Sequence, residues 1–493
     1  MRIRAVKIHT HREIILFLRK DCEFCRAQLA PSMEKLEVVH GDRTLVGTLD
    51  TVDTNYLEPG EVGLSEYAFD VFGLPEGTEV EIHHPEPVRS VELIRKKIQG
   101  EVLGEEDYRH IIRDIVEHRY SRVELTAFVV ACAQAAMERD EILFLARAMV
   151  EQGEVISWGR EMVVDKHCIG GVPGNRTTMV VIPIVAAYGM AIPKTSSRAI
   201  TSPSGTADTM EVLCDVNLSL DRMRAIVEKE SGCVAWGGAF ALSPADDIII
   251  SVERPLNIDA SGQMIASILS KKKAAGSTHV LVDIPVGPTA KVATYRQAYQ
   301  LRKLFEFVGE HMGMTLDVII TDGTQPVGRG IGPVLEARDV MQVLRNDPAA
   351  PRDFMEKSLD LAGRVIDFHP AVRGGYGRSI AEEILKSGRA LDKMERIVEA
   401  QGPKPAAAPG ARVLEAKAAK SGRLAFLDNY KIAKCAKLAG APTDVGAGVD
   451  LLKKVGDSLA EGEPVFRIHA EEEADLGYAW DYWLRHPETV GVE

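Results

Sequence analysis

At 493 residues the chain is long enough for about three domains, which excludes a single small module. Its 45% apolar and 27% charged residues form an ordinary globular balance, which excludes a disordered or fibrous protein. The 72 acidic residues outnumber the 59 Lys and Arg, and the net charge of −13 argues against a general nucleic-acid-binding or anionic-membrane surface. An anionic substrate would therefore have to meet a local pocket of donors.

The seven cysteines are scattered and too sparse for a disulfide framework, which favours a reducing, cytoplasmic location. The amino-terminal stretch lacks the long apolar run of a secretory signal. The most apolar interior run, 179–192, is short for a membrane span and is interrupted by Pro183 and Gly189. We therefore expect no membrane and no nucleic acid as partner. Cys22 and Cys25 form a CxxC without a second pair, so a zinc site there would lack half of its ligands.

The amino-terminal third of the chain changes its pattern once. Residues 1–85 contain short β-type segments separated by Gly, Pro and Asp, which predicts a small β-rich domain. Over 86–161 the apolar residues recur at helical spacing, and Ser121 followed by Glu124 is typical of a capping box that opens a helix. This second segment therefore predicts a helical domain.

From residue 162 the pattern becomes strand, Gly-rich turn and helix. Apolar strands recur at 280–286 and 316–323 with helical stretches between them, so 162–400 predicts a large α/β domain. Residues 401–410 have no core-forming pattern and are typical of a linker or exposed turn. The fold class predicted for the whole chain is α/β, with the helical domain and the two smaller terminal domains added.

The carboxy-terminal segment, 411–493, predicts a barrel-sandwich-like α+β domain. Within it, 455–468 resembles the hairpin half of a lipoyl or biotinyl barrel. A carrier domain presents a modifiable Lys in its own motif, and this segment lacks that motif. We therefore expect a shared fold element without covalent carriage.

The first group of residues that could carry chemistry is DKHCIGGVPGN at 165–175, between a strand and a helix. Its glycines let the backbone approach a ligand, and the free N–H groups and dipole at the start of a helix favour an anion. Phosphate is the anion that we expect at this turn. A purely steric need for Gly in a tight turn explains the same pattern equally well.

The second group, KTSSRAITSPSGT at 194–206, places seven hydroxyls and two cations in thirteen residues. Hydroxyl groups and Arg are the donors that a phosphate or a sugar needs. The simpler alternative is a solvated polar loop. Two loops in one α/β region have patterns that favour an anion, and each strengthens the prediction of an anion site made from the other.

The third group lies farther along the chain. Glu253 and Arg254 are expected to close a strand, and Asp259 precedes a helix on which Ser267 and Lys271 share one face. A cation, a hydroxyl and an acid could hold a heterocyclic base by its polar edge. From spacing alone, an N-cap role for the acid and a solvated helix end for the lysines are favoured.

Taken in order, DKHCIGGVPGN, KTSSRAITSPSGTAD, ERPLNIDASGQMIASILSKK and VLVDIPVG resemble the thymidine and pyrimidine-nucleoside phosphorylase family. The longer members of that family, including the AMP phosphorylases, are most similar in pattern. The resemblance covers nearly the whole chain. It implies a nucleoside phosphorylase type II-like fold, in which a segment near 246–276 returns to the helical domain and the site lies in a cleft. It also implies a homodimer or a larger homo-oligomer.

The resemblance implies reversible phosphorolysis. Phosphate attacks the anomeric carbon of a nucleoside or nucleoside 5′-monophosphate, and the products are a free base and a pentose 1-phosphate or ribose 1,5-bisphosphate. The resemblance implies no cofactor and no metal. Inorganic phosphate is a substrate of the reaction. Two alternatives are an anthranilate-type phosphoribosyltransferase, which would need a diphosphate donor and Mg²⁺, and a non-catalytic lipoyl-like scaffold.

The resemblance also assigns residues to roles, and it reverses the preference that spacing gives at Asp259, which becomes the proton donor. The phosphate-binding residues implied are Lys166, Ser196, Ser197 and Thr206. The residues implied to bind the nucleoside or nucleotide are Gly171, Arg198, Thr201, Ser202, Arg254, Ser267, Lys271 and Lys291.

The chain departs from the family pattern in two respects. Cys168 stands where the family usually has Ser, and a thiol is the weaker hydrogen-bond donor. Lys166 is typical of thymidine phosphorylases, whereas the GGVPGN segment and the extra amino-terminal domain are features of AMP phosphorylases. The sequence therefore leaves open both the base and the choice between nucleoside and nucleotide.

Overall fold

A computed structural model divides the chain into two units. The first contains Met1–Gly153 and Ser243–Ser270, and the second contains Glu154–Leu242 and Lys271–Glu493. The residues that the structure describes are 1–10, 13–22, 35–53, 55–135, 137–199, 202–240, 242–256, 258 and 260–493.

The amino-terminal part of the first unit is a mixed sheet in the order β1-β5-β2-β4-β3-β6. The β1/β5 and β2/β4 pairs are parallel, and the other pairs are antiparallel. Alternate residues point to the core, as at Leu36 and Val38, which are completely buried. The strands are β1 Arg2–Ala5, β2 Ile15–Arg19, β3 Lys35–His40, β4 Arg43–Val52, β5 Glu61–Leu64 and β6 Glu81–His83.

Helices make up the rest of the first unit. The predicted capping box is confirmed, because the Ser121 hydroxyl accepts from the Glu124 N–H and the Glu124 carboxylate accepts from the Ser121 N–H. Between the helices, buried Lys97 Nζ donates to Glu141 Oε1 at 2.6 Å. The helices are α1 Glu66–Phe72, α2 Val91–Ile98, α3 Glu105–Val116, α4 Arg122–Gln134, α5 Arg139–Glu151, α9 Pro244–Leu256 and α10 Ser261–Ala274, whose last turn is in the second unit.

The strand expected to end at Glu253 and Arg254 is wrong, because these residues lie in helix α9. Ala245, Ile249 and Val252 are buried at a spacing of four and three residues, which is one face of a helix. The run of three isoleucines at 248–250 suggested a strand, but the buried face has helical and not alternating spacing.

The second unit is built on a parallel sheet in the order β11-β10-β7, beside a parallel β8/β9 pair. Central strand β10 confirms the strand predicted at 280–286, and β11 confirms the one at 316–323. The segment 165–175 was expected to lie between a strand and a helix, but strand β7 continues into it through Cys168. The strands are β7 Val164–Cys168, β8 Ile192–Ser196, β9 Gly232–Trp236, β10 His279–Val286 and β11 Thr315–Asp322.

Helix α6, Thr177–Tyr188, lies at the centre of the core of the second unit. It is apolar on every side, and residues from Thr177 through Ala186 are buried. A helix without a polar face has to be surrounded by protein. The other helices of the α/β part of the second unit are α7 Thr206–Glu211, α8 Leu220–Glu230, α11 Tyr295–His311, α12 Pro333–Leu344, α13 Arg352–Ile366, α14 Gly377–Lys386 and α15 Arg389–Gln401.

The carboxy-terminal part combines two antiparallel sheets, in the orders β12-β15-β17-β13 and β16-β14-β18, with helices α16 and α17. The segment 455–468 is not a simple hairpin, because its two strands, β16 and β17, lie in different sheets. Among the described residues, no helix has the length and apolar character to cross a membrane. The elements are β12 Gly330–Ile331, β13 Arg412–Lys417, β14 Gly422–Leu427, α16 Asn429–Leu438, β15 Gly448–Leu451, β16 Ser458–Leu459, β17 Pro464–Ala470, α17 Glu473–Arg485 and β18 Val490–Val492.

Candidate phosphate-binding site

The Gly-rich loop connects β7 to α6, and two of its glycines are required by space. A Cβ on Gly171 would lie 2.4 Å from the backbone nitrogen of Lys291, and a Cβ on Gly174 would lie 2.2 Å from the Val327 carbonyl oxygen. Both glycines also have positive φ angles, of 85° and 73°. The steric explanation of the glycines therefore holds. The same close approach places the Lys291 backbone beside Gly171.

Lys166, on strand β7, is fully buried, and its ammonium group lies at the start of helix α6. Its Nζ donates to the Thr177 hydroxyl at 2.8 Å and lies 3.9 Å from Asp283 Oδ2. Burial lowers the pKa of Lys166, and the nearby Asp283 carboxylate opposes that effect. The ammonium group and the amino end of the helix supply positive charge at the same place. The loop is therefore suited to an anion.

The Asp283 carboxylate lies near two lysine ammonium groups. Its Oδ2 lies 3.3 Å from Lys357 Nζ as well as 3.9 Å from Lys166 Nζ, and its Oδ1 accepts from the Thr321 hydroxyl at 2.5 Å. Burial disfavours the charged carboxylate, but the two lysines keep the pKa of Asp283 below its usual range. One buried carboxylate between two ammonium groups leaves this cluster with a net positive charge.

A chain of hydrogen bonds connects Lys166 to Cys168. The Thr177 hydroxyl accepts from Lys166 and donates to Asn175 Oδ1 at 3.0 Å. The Asn175 amide nitrogen then donates to Cys168 Sγ at 3.2 Å, and the Gly170 N–H donates to the same sulfur at 3.5 Å. Burial raises the pKa of the Cys168 thiol, so it stays protonated and its S–H is directed away from both donors.

Replacing Cys168 by Ser is expected to lower the KM for phosphate roughly threefold, because a hydroxyl is a stronger donor than a thiol and both donors to position 168 remain. The measurement is the initial rate against phosphate concentration for Cys168→Ser and Cys168→Ala. The alanine variant should raise the KM. Equal KM values for all three proteins would show that the side chain at this position makes no phosphate contact.

A second buried cluster lies under β7 and β8. Asp165 accepts from Lys194 at 2.8 Å and from Lys272 at 2.6 Å, and all three side chains are almost completely buried. Burial disfavours ionised Asp165, but the two lysines keep its pKa below its usual range. Burial lowers the pKa of Lys272 to about 7. The expectation that this helix end is solvated is therefore wrong for Lys272.

His167 follows Asp165 and Lys166 on β7. Burial lowers its pKa well below the usual range, and four lysines, Lys272, Lys194, Lys271 and Lys166, act in the same direction. The imidazole is therefore neutral at physiological pH. The loop gains no positive charge from this histidine.

The hydroxyl-rich loop runs from the end of β8 to the start of α7. Asp208 holds it closed, because its Oδ2 accepts from the Ala199 N–H at 2.6 Å and from the Gly205 N–H at 2.8 Å. Arg198 pairs with Asp208 and Glu211, and its guanidinium lies 5.1 Å from the centre of the Trp236 ring. Its donors are thus largely engaged within the protein.

The two loops are directly joined. Arg176, which follows the Gly-rich loop, donates from Nη1 to the Thr206 hydroxyl at 3.3 Å. Thr206 is the first residue of α7, and Ser196 is the last residue of β8. The structure therefore connects the segment carrying Lys166 with the segment carrying Ser196 and Thr206 within one unit.

The remaining predicted residues are placed as follows. Asp259 and Thr201 lie outside the described residues, as does Cys25, and for Arg254 only the backbone in α9 is described. Ser267 and Lys271 are on helix α10, Ser267 in the first unit and Lys271 in the second. Ser197 is exposed and half-buried Ser202 donates to the Ser204 carbonyl at 2.8 Å.

The sequence reasoning missed several residues that the structure places around the loops. Thr177 and Thr178 both contact Lys166, and their position as hydroxyls at the first turn of a helix was a signal. Asp283 is an acid within an otherwise apolar strand, which predicts a buried ion pair. Glu336 and Lys357 come from distant segments and gave no such signal.

Known proteins match this chain in three regions. Residues 91–153 match the helical bundle domain of the glycosyl transferase family, and 160–391 match its α/β domain. Residues 424–482 match the pyrimidine nucleoside phosphorylase C-terminal domain. An anthranilate phosphoribosyltransferase from Thermus thermophilus has a similar fold, with a TM-score of 0.53 and 20% identity, covering 62% of this chain and 98% of that one.

Full-length relatives are much more similar. The "Putative thymidine phosphorylase" of Methylococcus capsulatus is 53% identical, covering 98% of this chain and 94% of the relative. The protein of the same description from Albidiferax ferrireducens is 52% identical, covering 97% of this chain and 92% of the relative.

These matches and the helical-plus-α/β architecture define the class: the protein is an enzyme, a phosphorylase of the glycosyltransferase type. More closely, the chain belongs to the thymidine and pyrimidine-nucleoside phosphorylase family. The predicted family, fold class and enzyme class are thereby confirmed.

Proposed function

We propose that the chain catalyses phosphorolysis of the N-glycosidic bond of a pyrimidine nucleoside or a nucleoside 5′-monophosphate. The observation that carries the proposal is the buried, net positive cluster of Lys166, Lys357 and Asp283 beneath a Gly-rich loop. Such a cluster suits a multiply charged anion, and the hydroxyl-rich loop joined to it supplies further donors.

In this proposal Lys166, Ser196, Ser197 and Thr206 hold inorganic phosphate. A phosphate oxygen forms a bond to the anomeric carbon while the bond from that carbon to the base nitrogen breaks. The electron pair of the broken bond leaves with the base, which takes a proton from Asp259. Holding the nucleophile in place lowers the entropic part of the barrier, and protonation of the base improves the leaving group.

The nucleoside side of the reaction is assigned to other residues. Arg254, Ser267 and Lys271 are proposed to bind the base by its polar edge. Gly171, Arg198, Thr201, Ser202 and Lys291 are proposed to line the sugar or nucleotide region.

The relatives described as thymidine phosphorylases support a pyrimidine nucleoside substrate. The GGVPGN segment instead supports a nucleoside 5′-monophosphate such as AMP. A nucleoside would give a pentose 1-phosphate, and a nucleoside monophosphate would give ribose 1,5-bisphosphate. We propose that neither a cofactor nor a metal takes part, and that the active form is a homodimer or larger homo-oligomer.

The proposal is tested by following release of free base from thymidine, uridine, AMP, CMP and UMP, with and without inorganic phosphate. We expect at least one substrate to release base only when phosphate is present. Turnover of thymidine compared with AMP decides between nucleoside and nucleotide. Base release at the same rate with and without phosphate, or no base release from any substrate, contradicts the proposal. Activity that needs a diphosphate donor and stops with a chelator would instead indicate a phosphoribosyltransferase.

A further inference from the structure

Glu336 is a buried carboxylate on which three elements around the hydroxyl-rich loop converge. It lies in the first turn of α12, and its Oε1 accepts from the Gly332 N–H at 3.1 Å. Its Oε2 forms an ion pair with Arg176 and lies 3.3 Å from the Thr209 hydroxyl of α7. One side chain thus connects α12, α7 and the residue that precedes α6.

The attraction between Arg176 and Glu336 is strong because little water surrounds the pair. The Arg176 side chain is 11% exposed and that of Glu336 is fully buried. Burial raises the pKa of Glu336 to about 7, and Arg176 opposes that shift by favouring the carboxylate. Removal of either partner would leave a buried polar group without its main interaction.

The hydrogen bond from Arg176 to Thr206 fixes the direction of the Thr206 hydroxyl proton. A guanidinium has only donors, so the Thr206 oxygen must be the acceptor in this contact. The hydroxyl has one proton, and that proton has to point away from Arg176. Thr206 is therefore set up as a donor at the start of α7, which is what a phosphate oxygen needs.

We propose that Arg176, held in place by Glu336, is a positioning residue that orients the Thr206 hydroxyl toward phosphate. The inference rests on the proposed function, because it takes Thr206 as a phosphate contact. It extends that function by adding two residues that do not themselves touch the anion.

The experiment is equilibrium binding of labelled inorganic phosphate to the purified full-length chain, which does not depend on turnover. Arg176→Met should raise the Kd for phosphate about tenfold, the scale of one hydrogen bond to a bound anion. Glu336→Gln should also raise the Kd for phosphate. The Kd of Arg176→Lys should lie between the values for the wild type and for Arg176→Met. Arg389→Met removes a half-exposed arginine and should leave the Kd unchanged.

A double variant separates positioning from direct contact. In a Thr206→Val background the hydroxyl is absent, so Arg176→Met should cause no further loss of phosphate affinity. A Kd for Arg176→Met within twofold of wild type overturns the inference, and so does a further tenfold loss in the Thr206→Val background. Should Arg176→Met fail to fold, Glu336→Gln and Arg176→Lys make the same comparison. Failure of the proposed function would appear separately, as wild-type protein that binds phosphate but releases no base.

Discussion

Asp259→Asn is expected to lower turnover on the order of a hundredfold or more, the scale of lost general-acid catalysis. The departing base takes the electrons of the glycosidic bond, and a proton donated to it stabilises that charge. Asn keeps the size and can cap a helix, but it cannot deliver a proton as an acid. The KM for phosphate should stay near the wild-type value, because the acid acts on the base. The measurement is kcat with the best substrate of the panel.

Two comparisons make this result specific. Asp221→Asn removes a carboxylate that is 96% exposed on α8 and should leave kcat unchanged. When the base of the nucleoside carries an electron-withdrawing substituent, the departing base is a more stable anion. It then needs less help from a proton donor. The loss caused by Asp259→Asn should therefore be smaller with that substrate. A variant with near wild-type kcat would mean that Asp259 is only a helix cap.

Lys166→Met is expected to reduce kcat/KM for phosphate on the order of a hundred- to a thousandfold, the range seen when one charged or preorganised donor is removed from an active site. Met fills a similar volume without charge. Asp283 keeps Lys357 and the Thr321 hydroxyl as partners, so the buried carboxylate is not left alone. The variant should therefore fold while it loses its cation at the start of α6.

Lys386→Met is the matched control, because this lysine is exposed on α14 and pairs with Glu382 of the same helix. Steady-state rates against phosphate concentration, together with the melting temperature, distinguish a binding defect from unfolding. A Lys166→Met protein that melts near the wild-type temperature and keeps its kcat/KM for phosphate would show that the anion binds elsewhere.

Local patterns were sufficient to predict strands β10 and β11 of the second unit and the positions of both loops. Apart from His279 at its start and Asp283, strand β10 is apolar, as expected for a central strand covered on both faces. The loop glycines were recognisable because tight turns and close backbone contacts exclude a side chain, as Gly171 and Gly174 demonstrate. Helix α9 was misread as a strand because three consecutive isoleucines conceal which face is buried.

The charge network of the site could not be predicted from the sequence. Lys166 meets Asp283 and Lys357, which follow it by more than a hundred residues, and local periodicity carries no record of such pairing. The lysines at the end of α10 had the pattern of a solvated helix end, yet Lys272 is buried against Asp165. Tertiary contacts decide which charges leave water, and only the paired ones can do so at acceptable cost.

The most direct test uses inorganic phosphate labelled with ¹⁸O at every oxygen, with the best substrate of the panel. Attack by phosphate on the anomeric carbon predicts that every oxygen of the new phosphoryl group at that carbon is labelled, with free base formed in equal amount. A sugar product whose anomeric oxygen comes from unlabelled water would contradict the account.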